Sequence, residues 1–205
     1  MCCFFLYFII VYINHKKHRN YKGGFFIELS HYDFFNKKSS VLSVLGGVLG
    51  GGMSSRLFQK LREEMGVAYY VNAYNDASLD HGVFKISAGV SNDRVQEVIT
   101  EILKECKRLT EELVSEKELA KVKSLIIGNT KLSFEATDDI ANYYGRQELL
   151  KNKLDTIEQK ATEVHAVTAK DIQKLAKLLF TNEGLTLAVI GPFMDKTPFQ
   201  KLLKF

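Results

Sequence analysis

Apolar residues alternate with polar ones, or run together over short stretches, at Phe25 to Leu29, Val67 to Asn75, Val83 to Val90 and Leu185 to Ile190, and each of these segments predicts a strand. Between them the apolar spacing is helical. Val41 to Leu49 forms one such segment and runs into glycines, with a loop expected over His31 to Ser40 before it. Asn92 or Asp93 opens a longer helix that keeps Val95, Val98, Ile99, Ile102, Leu103, Cys106 and Leu109 on one side. Ser115 with Glu118 has the spacing of a capping box for a helix carrying Leu119, Val122, Leu125 and Ile126, and Thr156 with Gln159 and Thr168 with Asp171 open two shorter helices in the same way. The order is strand, helices, hairpin, helices, strand. It predicts an α+β fold with a mixed, largely antiparallel sheet covered by helices.

The segment from Leu49 to Tyr74 carries the most information. Gly50, Gly51 and Gly52 allow a tight turn or a close backbone approach, and Ser54 or Ser55 is placed to cap the helix that follows. In that helix Leu57, Leu61 and Met65 make one apolar stripe, widened by Phe58. Arg62 lies at its edge, roughly 85° from the centre at ~100° per residue. Gly66 ends the helix, and Tyr69, Val71 and Ala73 then alternate with Tyr70, Asn72 and Tyr74 as in a strand, so that Arg62 and Tyr69 converge across one helix-to-strand corner. Spacing alone leaves two readings open. An arginine at a helix edge can be a solvated or ion-paired residue and a strand tyrosine a packing residue, or the two can form a donor pair facing a ligand.

Other chemistries fail on residue type. No Lys follows the glycines as a phosphate loop requires, no register of Gly46 to Gly52 supplies GxGxxG, and no GxSxG elbow occurs. The 205 residues carry a net charge of +4 with acids and bases intermixed, and no basic stripe interleaved with aromatics points to nucleic acid. Cys2, Cys3 and Cys106 form neither a disulfide framework nor a zinc knuckle, and Cys106 reads as a core thiol. The five histidines, His15, His18, His31, His81 and His165, include no HxxEH or HExxH. His15 and His18 enclose two lysines that repel a cation, so this chain is expected to hold no metal.

Four segments, GGGMSSRLF at Gly50 to Phe58, LREEMGVAYYV at Leu61 to Val71, DHGVFKISAGV at Asp80 to Val90 and VIGPF at Val189 to Phe193, together resemble the pitrilysin/insulinase zinc peptidases. The likeness is to the C-terminal, non-zinc half of the processing-peptidase-like members, over residues 24 to 193. It implies the processing-peptidase/LuxS-metallohydrolase-like half-fold. It also implies a peptide substrate bound in a chamber, and zinc held by an N-terminal half or a homologous subunit and not by this chain. On the same resemblance Arg62 and Tyr69 bind the substrate backbone and stabilise the transition state, and Gly50, Gly51, Gly52 and Ser54 lie in the substrate-binding loop. A scaffold subunit of the same fold, without catalysis, is the alternative.

The first thirteen residues, MCCFFLYFIIVYI, are apolar but shorter than the ~20 residues of a bilayer span, and the positive charges follow rather than precede them. A weak anchor, a buried strand, or residues foreign to the domain are the readings left. The chain divides into an extension at residues 1–23 and a domain at 24–205, membrane insertion is not expected, and no compartment is assigned.

Overall fold

The computed structural model describes residues 10–13, 23–31, 38–77, 82–151, 154–183 and 185–205. The start of the N-terminal apolar run, His15, His18 and His81, and most of the expected loop before Ser40 lie outside the described residues. Five described strands form one sheet: β1 (Ile10–Ile13), β2 (Gly23–His31), β3 (Ala68–Ala77), β4 (Gly82–Val90) and β5 (Leu185–Ile190), in the order β1-β5-β2-β4-β3. β1 runs parallel to β5 and every other pairing is antiparallel, which gives the mixed, largely antiparallel sheet that the pattern predicts. Ile10 to Ile13 thus form an edge strand.

Strand alternation puts Phe25, Ile27 and Leu29 of β2, Phe84, Ile86 and Ala88 of β4, and Leu185, Leu187 and Val189 of β5 on one face, where all are buried. That face is covered by α1 (Ser39–Gly50), α2 (Val95–Glu111) and α6 (Ala169–Leu179). α1 lies on β3, α6 beside α1, and α2 beyond α6. A second helical layer, α3 (Glu116–Ser133) and α5 (Ile157–Ala166), packs on α1. α1 can sit between two layers because of its glycines. A Cβ at Gly50 would stand 2.3 Å from the Ala73 nitrogen of β3, and one at Gly47 would stand 2.5 Å from Cγ1 of Val122 on α3.

Thr156 with Gln159 and Thr168 with Asp171 form complete capping boxes at α5 and α6. At α3 only half of the expected box exists. Ser115 Oγ accepts from the Glu118 N–H at 3.2 Å, while the Glu118 carboxylate turns to Arg56. α4 (Thr137–Lys151) and the short α7 (Thr197–Leu202) have no counterpart in the sequence pattern. From Thr137 to Leu149 α4 buries no apolar side chain, and its sequence shows no apolar stripe there. Over those residues the side chains are exposed or half-buried except Gln147, which hydrogen-bonds the main chain of Asp155 on both sides.

Two outcomes follow for stability in denaturant titrations. Gly50→Ala forces a methyl into the β3 backbone and should cost about 1–3 kcal/mol, whereas Gly128→Ala, in open space on the exposed side of α3, should gain about 0.5–1 kcal/mol. Asp171 is held below the usual carboxylate range by the Thr168 hydroxyl and then the Thr168 N–H. A carboxyl lowered in the folded state contributes stability above its unfolded pKa and loses it as pH falls through the folded value. Asp171→Ala should therefore destabilise by about 0.5–1 kcal/mol at neutral pH, and melting curves of the two proteins should converge in strong acid.

Candidate functional site

After α1 the chain must reverse into β3, and it does so through a loop and a widened helical turn. Gly52 takes φ +148°, open to glycine, and the Ser55 hydroxyl donates back to the Gly52 carbonyl at 2.6 Å instead of capping the next helix as expected. The segment Phe58–Glu64 is π-helical, with the Met65 N–H reaching the Lys60 carbonyl at 3.1 Å. It ends at Gly66, φ +63°, where the Val67 N–H closes on the Leu61 carbonyl at 2.9 Å. Leu57 and Leu61 are fully buried and Met65 partly so, as the stripe predicts.

This turn carries Arg62 onto the start of β3. Its Nη1 donates to the Ala68 carbonyl at 2.8 Å and lies 3.5 Å from the Tyr69 carbonyl, while the residue as a whole stays exposed. Arg62 and Tyr69 thus meet at the corner, and among the described residues Arg62 pairs with no carboxylate. Its neighbour Lys60 is taken up by Glu64 at 2.8 Å, a hydrogen bond that raises the lysine pKa.

Tyr69 departs from simple alternation. Ala68 pairs with Val90 and Tyr70 with Gly89, which leaves Tyr69 as the extra residue of a β-bulge. Ala68 and Val71 are buried on either side, while Tyr69 and Tyr70 are 46% and 47% exposed. A regular strand would have turned Tyr69 to the buried face with Val71 and Ala73; the bulge leaves it half-exposed.

The glycine loop separates into two parts. Gly50 is buried against β3, so any part it has in binding is through the loop it supports. Gly51, Gly52 and Ser54 are exposed. The loop is held by Arg56, whose Nε and Nη2 donate to the two carboxylate oxygens of Glu118 at 2.8 and 3.0 Å in a mostly buried pair. This clamp joins residues 62 positions apart and has no local signal, although Glu118 has the spacing of a cap residue.

No group of three His, Cys, Asp or Glu side chains among the described residues is placed to hold a metal. His165 is exposed, its carbonyl accepting from Lys123 at 2.7 Å. Cys106 is buried in α2, and desolvation pushes its thiol far above the ordinary range, in keeping with a core residue.

Residues 34–126 match the family model described as the peptidase M16 inactive domain. The chain is 37% identical, over 74% of its length, to an uncharacterized zinc protease, YmxG, of Bacillus subtilis (strain 168), and spans 37% of that protein. Among solved structures it is similar to a protease from Helicobacter pylori, with TM-score 0.78 and 20% identity, covering 89% of this chain and 44% of that one. It is also similar in fold to a chain of complex III2 from Candida albicans, with TM-score 0.78 and 14% identity, covering 96% of this chain and 49% of that one.

The geometry separates a structural arginine from an available one. Arg56→Ala strips Glu118 of its bidentate partner in a mostly buried place and should cost about 2 kcal/mol in urea unfolding. Arg62→Ala removes an exposed side chain and should change stability by less than about 1 kcal/mol.

Proposed function

We propose that this chain, which belongs to the M16 peptidase family and matches its inactive domain, forms one wall of a peptide-binding chamber, the zinc-bearing wall coming from another half of the same family. That half would be a separate subunit or a further part of the same polypeptide. The observation that supports this reading best is the corner at which Arg62 reaches the main chain of Ala68 and Tyr69, with both side chains exposed.

A guanidinium and a phenol are both hydrogen-bond donors. Attack of water on a peptide carbonyl builds negative charge on the carbonyl oxygen, and donors set in place beforehand stabilise that charge without reorganising during the reaction. The π-helical turn and the bulge do the setting in place. The described residues do not fit a zinc site, so no step is routed through a metal on this chain. Its part is to bind the extended substrate, orient the scissile region and donate hydrogen bonds. The exposed loop residues Gly51, Gly52 and Ser54 would lie along the same substrate, where small side chains let its backbone come close.

A second reading, a scaffold subunit of the same fold without catalysis, draws on the likeness in fold to a chain of complex III2. Such a subunit would keep the sheet and the helix layers and make no use of the two donors. The two readings differ in one measurement. In the chain assembled with a zinc-bearing half, Arg62→Ala and Tyr69→Phe should each lower peptide turnover by about 10²-fold, the scale of losing one oxyanion donor. Unchanged turnover in both variants would favour the scaffold.

A further inference from the structure

The sheet face turned away from the helices differs in kind from the buried one. Along β3 it carries Tyr70, Asn72 and Tyr74, all exposed, and their registered neighbours are Gly89, Ser87 and Lys85 on β4, then Gly24, Phe26 and Glu28 on β2. A face under permanent cover is expected to be nearly continuous in aliphatic side chains. This one mixes tyrosine, asparagine, serine and glycine, with a charged row in which Lys85 lies 2.7 Å from Asp76 and 3.5 Å from Glu28. That chemistry suits a wet, reversible occupant.

One row has no side chains in its middle. Tyr70, Gly89 and Gly24 are in register, and a Cβ on Gly89 would stand 2.3, 2.7 and 3.1 Å from Cε1, Cδ1 and Cζ of Tyr70. A Cβ on Gly24 would stand 3.6 Å from the Tyr70 hydroxyl. The ring therefore lies across β4 toward β2, in the space that the two glycines leave, while Tyr70 remains 47% exposed. A ring clamped on one side and open on the other is a preformed apolar platform that loses little rotamer freedom on binding. It directly follows Tyr69, whose carbonyl Arg62 approaches.

We infer that Tyr70 is a specificity-determining residue, which stacks against an aromatic or branched aliphatic side chain of an extended peptide lying along this face beside the Arg62–Tyr69 corner. The inference rests on the chamber-wall reading for its occupant, and its test is independent of turnover. The full chain, labelled with 15N, is titrated with short capped Gly/Ser peptides that differ only in a central Phe or Ala. The amides of Tyr70, Gly89 and Gly24 should shift, and the Phe peptide should bind about five-fold more tightly, the scale of one aromatic pair.

Tyr70→Phe should keep that preference and Tyr70→Ala should erase it. Gly89→Ala, which lifts the ring from its seat, should erase it as well. Tyr70→Gln replaces Tyr70→Ala where the latter loses its dispersed amide spectrum. An unchanged preference without the Tyr70 ring, shifts confined to another surface such as the groove between α3 and α5, or no binding of either peptide would each overturn the inference. The roles of Arg62 and Tyr69 are decided separately by turnover of the assembled enzyme, so the two can fail independently.

Discussion

The close approach of α1 to β3 is the constraint from which the rest of the structure follows. A helix normally stands off a sheet by the length of its side chains. Here Gly46 and Gly50 bring the helix backbone against Ala73, and Gly47 opens the opposite side of α1 to Val122 and Ile126 of α3. The helix is therefore held on both flanks by contacts that even one methyl would disturb. Its C-terminal end is fixed relative to β3 with little freedom, and the loop from Gly51 starts from a rigid origin.

From that origin three local irregularities position the candidate site. The Arg56–Glu118 pair ties the loop to α3, the π-helical turn resets the direction of the side chains after Phe58, and the bulge at Tyr69 breaks the alternation of β3. Each departs from regular structure, and all three fall within the short path from Gly51 to Tyr70. Irregular backbone held by packed surroundings is a common way to aim functional side chains. The core uses the bulge as well, since Ala68 and Val71, three positions apart, would face opposite sides of a regular strand and both are buried.

Much of this could be read from the residues. The strands at Phe25, Val83 and Leu185, the helices opened by Thr156 and Thr168, and the end of the turn at Gly66 all rest on local spacing or local chemistry, and they stand in the structure. What could not be read depends on distant partners or on the lack of any. Glu118 has the spacing of a cap residue, but its carboxylate is taken by an arginine from another part of the chain. Gly50 looks like a loop residue and is helical, because only the neighbouring backbone of β3 explains it. From Thr137 to Leu149 α4 buries no apolar side chain and so leaves no period to detect. The convergence of Arg62 and Tyr69 was legible, but the bulge that exposes Tyr69 was not, since a strand that gains one residue looks in sequence like one that does not.

The two faces of the sheet differ in what they contribute. The helix-covered face is filled with Phe25, Phe84, Ile86 and Leu187, all fully buried within this chain. Among the described residues the open face is mixed, with Phe26 and Ala188 beside Asn72, Ser87, Glu28 and Lys85. What it offers lies along β3, from Arg62 and Tyr69 to Tyr70 and Asn72. A surface of hydrogen-bond donors and a half-exposed ring is poorly suited to permanent packing and well suited to contacts that must form and release. β3 takes part in both faces, through Val71 and Ala73 on the buried side and Tyr70, Asn72 and Tyr74 on the open side.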